Sequence, residues 1–148
     1  MKILFVCTGN TCRSAMAEGI AKNLIQKENL KLEVSSAGVF APFGMAASEN
    51  AILALSEMGI DISSHLSRPL TKDLIENSDL ILTMTKGHKE AILSKYPQFS
   101  DKVFTLMEYI GEDLDIEDPF GGDIDVYRAS ANQIKQAIEI LLKKLKES

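Results

Sequence analysis

Ile3-Leu4-Phe5-Val6 is a continuous apolar run that leads directly into Cys7-Thr8-Gly9-Asn10-Thr11-Cys12-Arg13-Ser14 and then into residues spaced for a helix. A strand apolar on both faces belongs inside a parallel sheet covered by helices on each side. A short loop from such a strand into a helix start makes a cradle for an anion. Its N–H groups converge on one point, and the helix end adds partial positive charge. Gly9 allows close approach or a positive φ, and Asn10 tolerates the left-handed region better than most residues. Cys7 falls at the strand end, at the floor of the cradle, and Arg13 closes the loop with a planar fork of donors. That electropositive setting favours the thiolate, so Cys7 reads as a nucleophile rather than a small buried apolar side chain.

The rest of the chain keeps alternating strands with helices. Ala17, Ile20, Ala21, Leu24 and Ile25 give a helix over residues 14 to about 28. Leu32 and Val34 mark a second strand, read as ending at Ser35-Ser36-Ala37-Gly38. Ser48 fits as the N-cap of a helix carrying Ala51, Ala54, Leu55 and Met58, with Gly59 past its end. Thr71 opens a helical turn that ends near Asn77, and Leu80-Ile81-Leu82 is a third strand. Thr85 caps a helix that Pro97 stops after Tyr96. Val103-Phe104-Thr105-Leu106 reads as a fourth strand and residues 111–123 as a surface loop. Ile134, Ile138, Leu141, Leu142 and Leu145 form the apolar face of a long last helix.

This alternation predicts an α/β fold in one domain over residues 1–148, a four-stranded parallel sheet with helices on both faces. Ligands of such sheets bind outside the carboxyl ends of the strands, where the Cys7–Ser14 loop lies. Phe40 and Phe43 could line one pocket wall, but as aromatics in an apolar loop they are expected to pack as a satellite of the core. His65 and His88 show no partner in the sequence and read as surface or capping residues.

Sixteen Lys and Arg against 21 Asp and Glu give a net charge of −5, with no basic stripe for nucleic acid. No apolar run approaches the roughly 20 residues that span a bilayer. A cytoplasmic protein without a membrane partner is expected, with a monomer as the default state. Cys7 and Cys12 are too few for a disulfide framework, and His65 and His88 stand isolated, so neither metal nor other cofactor is expected. Among the carboxylates Glu112, Asp113, Asp115, Glu117, Asp118, Asp123 and Asp125, Asp118 stands apart. Pro119 biases it toward an extended backbone and stiffens the loop tip.

The Cys7–Ser14 loop, Ser14-Ala15-Met16-Ala17-Glu18 after it, and Asp118-Pro119-Phe120-Gly121-Gly122 resemble the low-molecular-weight protein tyrosine phosphatase family. The loop is most similar to its bacterial protein-arginine-phosphatase branch. The resemblance covers nearly the whole chain and implies the flavodoxin-like arrangement and phosphorylated proteins as substrates. It implies Cys7, Arg13 and Asp118 as catalytic residues: nucleophile, phosphate clamp and general acid, with Asp115 the other candidate for the acid. Thr8, Gly9, Asn10, Thr11, Cys12, Arg13, Ser14 and Phe120 then bind substrate, and Ser14 hydrogen-bonds the sulfur.

Tyrosine-specific members usually carry an aliphatic residue where Thr11 stands, and Asp-Pro-Tyr-Tyr where this chain has Asp118-Pro119-Phe120-Gly121. Both departures imply phosphoarginine rather than phosphotyrosine as substrate, unless the Thr11 hydroxyl merely bonds the local backbone. Cys12 either packs as a small apolar residue or forms a reversible disulfide with oxidised Cys7. A thioredoxin-coupled arsenate reductase would need further cysteines between Leu80 and Glu90, and there are none. A phosphate-binding module without activity would need neither Cys7 nor Asp118.

Overall fold

The computed structural model describes residues 1–147. Strands β1 (Lys2–Cys7), β2 (Glu33–Gly38), β3 (Leu80–Thr83) and β4 (Val103–Thr105) form one parallel sheet in the order β2-β1-β3-β4. Helices α1 (Arg13–Lys27), α2 (Glu49–Ser56), α3 (Lys72–Glu76), α4 (Lys86–Lys95), α5 (Leu106–Tyr109) and α6 (Ile124–Lys146) cover it. Strand side chains alternate between faces, so β1 feeds two cores. Ile3, Phe5 and Cys7 join the larger cluster with α1, α2 and α6, while Leu4 and Val6 join a smaller one with Ile75 of α3 and Ile92 of α4. With β2 and β3 on opposite sides of β1, the strand order reverses at β1. The crevice at the carboxyl end of β1 is therefore where such a sheet places a ligand.

Two boundaries differ from the sequence reading. Ser35–Gly38 does not end the second strand but forms most of it, paired in register with Leu4–Cys7. The serines are tolerated there because Ser36, buried, donates to Glu18 Oε1 (2.6 Å) and accepts from Asn10 Nδ2 (2.9 Å). Leu106 opens α5 instead of closing β4. Thr105 and Glu108 form a reciprocal capping box that turns the chain into a helix at that point. The caps expected of Ser48 and Thr85 are made, and Thr71 caps α3 in the same way, each accepting a backbone N–H three residues on. Asp123, one of the loop carboxylates, caps α6. Phe40 and Phe43 are not satellite core, since both are largely exposed, at 86% and 79%.

Candidate active site

The loop between β1 and α1 is fixed from below and from both sides. Cys7 pairs with Gly38 across the sheet, and Val39 and Phe40 donate their N–H groups to the carbonyls of Cys7 (2.9 Å) and Thr8 (3.0 Å). A Cβ on Gly38 would lie 2.3 Å from Thr8 O and 3.0 Å from Asn10 N, so only glycine lets β2 approach this closely. Among the described residues, no N–H group from Thr8 to Cys12 donates to a protein acceptor. These amides are left free beside the α1 N-terminus, an arrangement that can receive an anion.

Asn10 is the internal brace. It takes the left-handed conformation (φ 58°) expected of it and is fully buried. Its Nδ2 donates to Ser14 Oγ (2.8 Å) and Ser36 Oγ, and its Oδ1 accepts from Arg68 N (3.0 Å). Its carbonyl lies 2.6 Å from His65 Nε2; a carbonyl only accepts, so His65 carries its proton on Nε2. Gly9, by contrast, does not use a positive φ.

Ser14 Oγ lies 2.8 Å from Cys7 Sγ, with both residues buried. Because Asn10 already donates to Ser14 Oγ, the serine proton is free to donate to a thiolate. Arg13 is 5% exposed; it donates through one terminal nitrogen to Ile116 O (3.0 Å), and the other lies 3.5 Å from Asp118 Oδ2. The acidic loop is thereby tied to the nucleophile loop. Ile116, fully buried and bonded to Met84 O, anchors a segment that reads in the sequence as surface only. Asp118 accepts from Phe120 N (3.1 Å), a local turn behind Pro119. Asp115 is directed elsewhere: its Oδ1 accepts from Lys86 N (2.9 Å) at the start of α4.

Cys7, Thr8, Gly9, Thr11, Cys12, Arg13, Asp118 and Phe120 line one cleft of about 250 Å³, with Asn10 and Ser14 beneath as braces. The Thr11 hydroxyl does not bond the local backbone; its one hydrogen-bond partner among the described residues is Cys12 Sγ at 3.9 Å. Phe120 stands 79% exposed at the rim. Cys12 is buried between Tyr127 OH (3.4 Å) and Ser48 Oγ (3.6 Å), and both cysteines are unpaired.

Sequence reasoning misses the two histidines. His65 braces Asn10, and His88 Nε2 lies 2.8 Å from Thr8 Oγ1 with the ring almost wholly buried. Burial, and then the Arg13 charge, push the His88 pKa down to about 4 against the opposing pull of Asp118 and Asp115. The available signal was positional: His88 sits in the first turn after β3, on the ligand-binding edge of the sheet.

Residues 2–148 match the family model for low molecular weight phosphotyrosine protein phosphatase. A protein-arginine-phosphatase of Bacillus subtilis (strain 168) is 47% identical over 148 residues, 99% of this chain and 98% of that one. The tyrosine phosphatase PtpB of Staphylococcus epidermidis is 41% identical over 139 residues, 94% of this chain and 95% of that one. The YwlE arginine phosphatase, solved as a C7S mutant with a phosphorylated active-site serine, superposes with a TM-score of 0.97 at 46% identity, covering 100% of this chain and 97% of that one. With a family match over residues 2–148 and these identities over nearly full-length relatives, the chain belongs to the low molecular weight phosphotyrosine protein phosphatase family.

Proposed function

We propose that the protein hydrolyses phosphoarginine in proteins through a phosphocysteine intermediate. Cys7 Sγ attacks phosphorus as the P–N bond breaks, and Asp118 delivers a proton to the departing guanidine nitrogen. Water then attacks the phosphocysteine, Asp118 takes its proton, the thiolate leaves and phosphate is released. Charge spread over the equatorial oxygens meets the loop amides and the Arg13 guanidinium. Ser14 stabilises the thiolate as nucleophile and again as leaving group.

The observation that carries the substrate class is Thr11, which lines the cleft and whose hydroxyl has no backbone partner. A phosphorylated guanidinium offers it polar N–H groups, whereas a phenyl ring would leave it unpaired, a cost of about 1–3 kcal/mol. The match to a protein-arginine-phosphatase over almost the full length supports the same reading. The match to PtpB keeps phosphotyrosine as the second reading. Thr11→Ile is expected to raise the rate on phosphotyrosine peptides and lower it on phosphoarginine peptides, shifting their ratio by about 10-fold or more. An unchanged ratio would place specificity elsewhere.

Two unpaired cysteines in one reactive loop also support reversible oxidation and a reducing, cytoplasmic setting. No helix of the described residues is long and apolar enough to cross a membrane. Mild peroxide is expected to inactivate the enzyme and a thiol to restore it, with Cys12 trapping oxidised Cys7 as a disulfide. Should Cys12→Ala recover as completely as the parent, Cys12 has no protective role.

A further inference from the structure

His88 Nε2 lies 2.8 Å from the hydroxyl of Thr8, the first loop residue after Cys7. The ring is only 7% exposed, and its Nδ1 is the one buried side-chain nitrogen or oxygen without a hydrogen-bond partner among the described residues. A proton on Nδ1 would be an orphaned buried donor, which proteins avoid more strictly than an unfilled acceptor. The ring is held neutral by its burial and by Arg13, so it carries a single proton, and that proton belongs on Nε2. His88 therefore donates to Thr8 Oγ1. The Thr8 hydroxyl proton, excluded from the His88 side, has to be donated elsewhere.

Thr8 is exposed and lines the cleft beside Cys7 and Arg13, and its backbone carbonyl is held by Phe40 N. With the backbone fixed, the direction of the hydroxyl is the remaining freedom, and the histidine removes it. We propose that His88 is a positioning residue, aiming the Thr8 hydroxyl into the cleft as an additional donor to the phosphoryl oxygens. The element that carries it suits the task. The β3–α4 junction also holds the acidic loop, through Lys86 N to Asp115 Oδ1 and Met84 O to Ile116 N, so phosphate donor and proton donor share one support.

This inference rests on the phosphatase reading, and its test separates the two by measuring binding without turnover. The probe is inorganic phosphate, titrated calorimetrically at pH 7 into the parent, T8V, H88Q, H88L and the T8V/H88L double variant. Thr8→Val is an exposed, nearly isosteric change, so its result does not depend on a buried substitution being tolerated. It is expected to weaken phosphate binding about 10-fold, as loss of one hydrogen bond to a charged group does. His88→Leu leaves the hydroxyl free to rotate and is expected to cost about 3-fold. His88→Gln, whose amide N–H can still reach Thr8, is expected to bind within about twofold of the parent. The double variant is expected to match T8V, because His88 acts only through that hydroxyl. T8V binding within about twofold of the parent overturns the proposal. So does an H88L loss that persists undiminished in the T8V background, or an H88Q loss as large as that of H88L. A parent that binds phosphate but hydrolyses no phosphorylated substrate contradicts the phosphatase reading instead, and leaves the binding comparison intact.

Discussion

Cys7→Ser is expected to abolish turnover, by about 10⁴-fold or more, while phosphate binding stays within a few-fold of the parent. The two halves of this result have separate causes. In the proposed mechanism, binding rests on the loop amides of Thr8 to Cys12 and on Arg13, none of which the substitution touches. Turnover rests on sulfur, which attacks readily and then leaves readily as a thiolate. A serine oxygen in the same place is a poor nucleophile at neutral pH and a worse leaving group from phosphorus. A phosphoserine trapped by the variant, visible by mass spectrometry, would fit a first step that proceeds slowly and a second that stalls. Appreciable steady-state hydrolysis by Cys7→Ser would remove Cys7 from the mechanism.

Asp118→Asn is expected to slow hydrolysis of substrates with poor leaving groups by about 10²–10³-fold, and activated aryl phosphates by less than about 10-fold. An activated phenolate departs without a proton, so only the poor leaving group needs the acid. Asparagine keeps an oxygen for the Phe120 N–H, so the turn behind Pro119 is retained and the loss is chemical rather than structural. The 3.5 Å ion pair with Arg13 is lost as well, but the Asp118 side chain is half-exposed and such a pair contributes about 1 kcal/mol or less. Steady-state rates on the two substrate types decide the matter. Equal losses on both would make Asp118 a brace for Arg13 instead of the acid.

The parts of this site that lie within a few residues of one another were legible in the sequence. A strand, a glycine, a left-handed asparagine and a helix start define the cradle locally, and the structure keeps each of them, except that Gly9 takes no positive φ. Asp118 was legible because Pro119 marks its neighbourhood. The supports of the loop were not legible, because they come from distant segments whose own sequences look ordinary. Gly38 reads as the end of a strand until the sheet brings it so close to Thr8 O that a Cβ there would lie only 2.3 Å away. Ser36, His65 and Arg68 reach Asn10 across sequence separations of 26, 55 and 58 residues. Phe40 and Phe43 misled in the other direction, since apolar residues in a loop carry no periodicity that tells core from rim. Leu106 was drawn into the fourth strand by its apolar neighbours, and the capping box two positions on overrode them.

The most direct test of the central claim is kcat/KM on two peptides of identical flanking sequence, one phosphorylated on arginine and the other on tyrosine. A cleft lined by Thr11 predicts a preference for phosphoarginine of about 100-fold or more, as sites built around a polar contact discriminate strongly against ligands that lack it. Equal rates, or a faster reaction with phosphotyrosine, would contradict it.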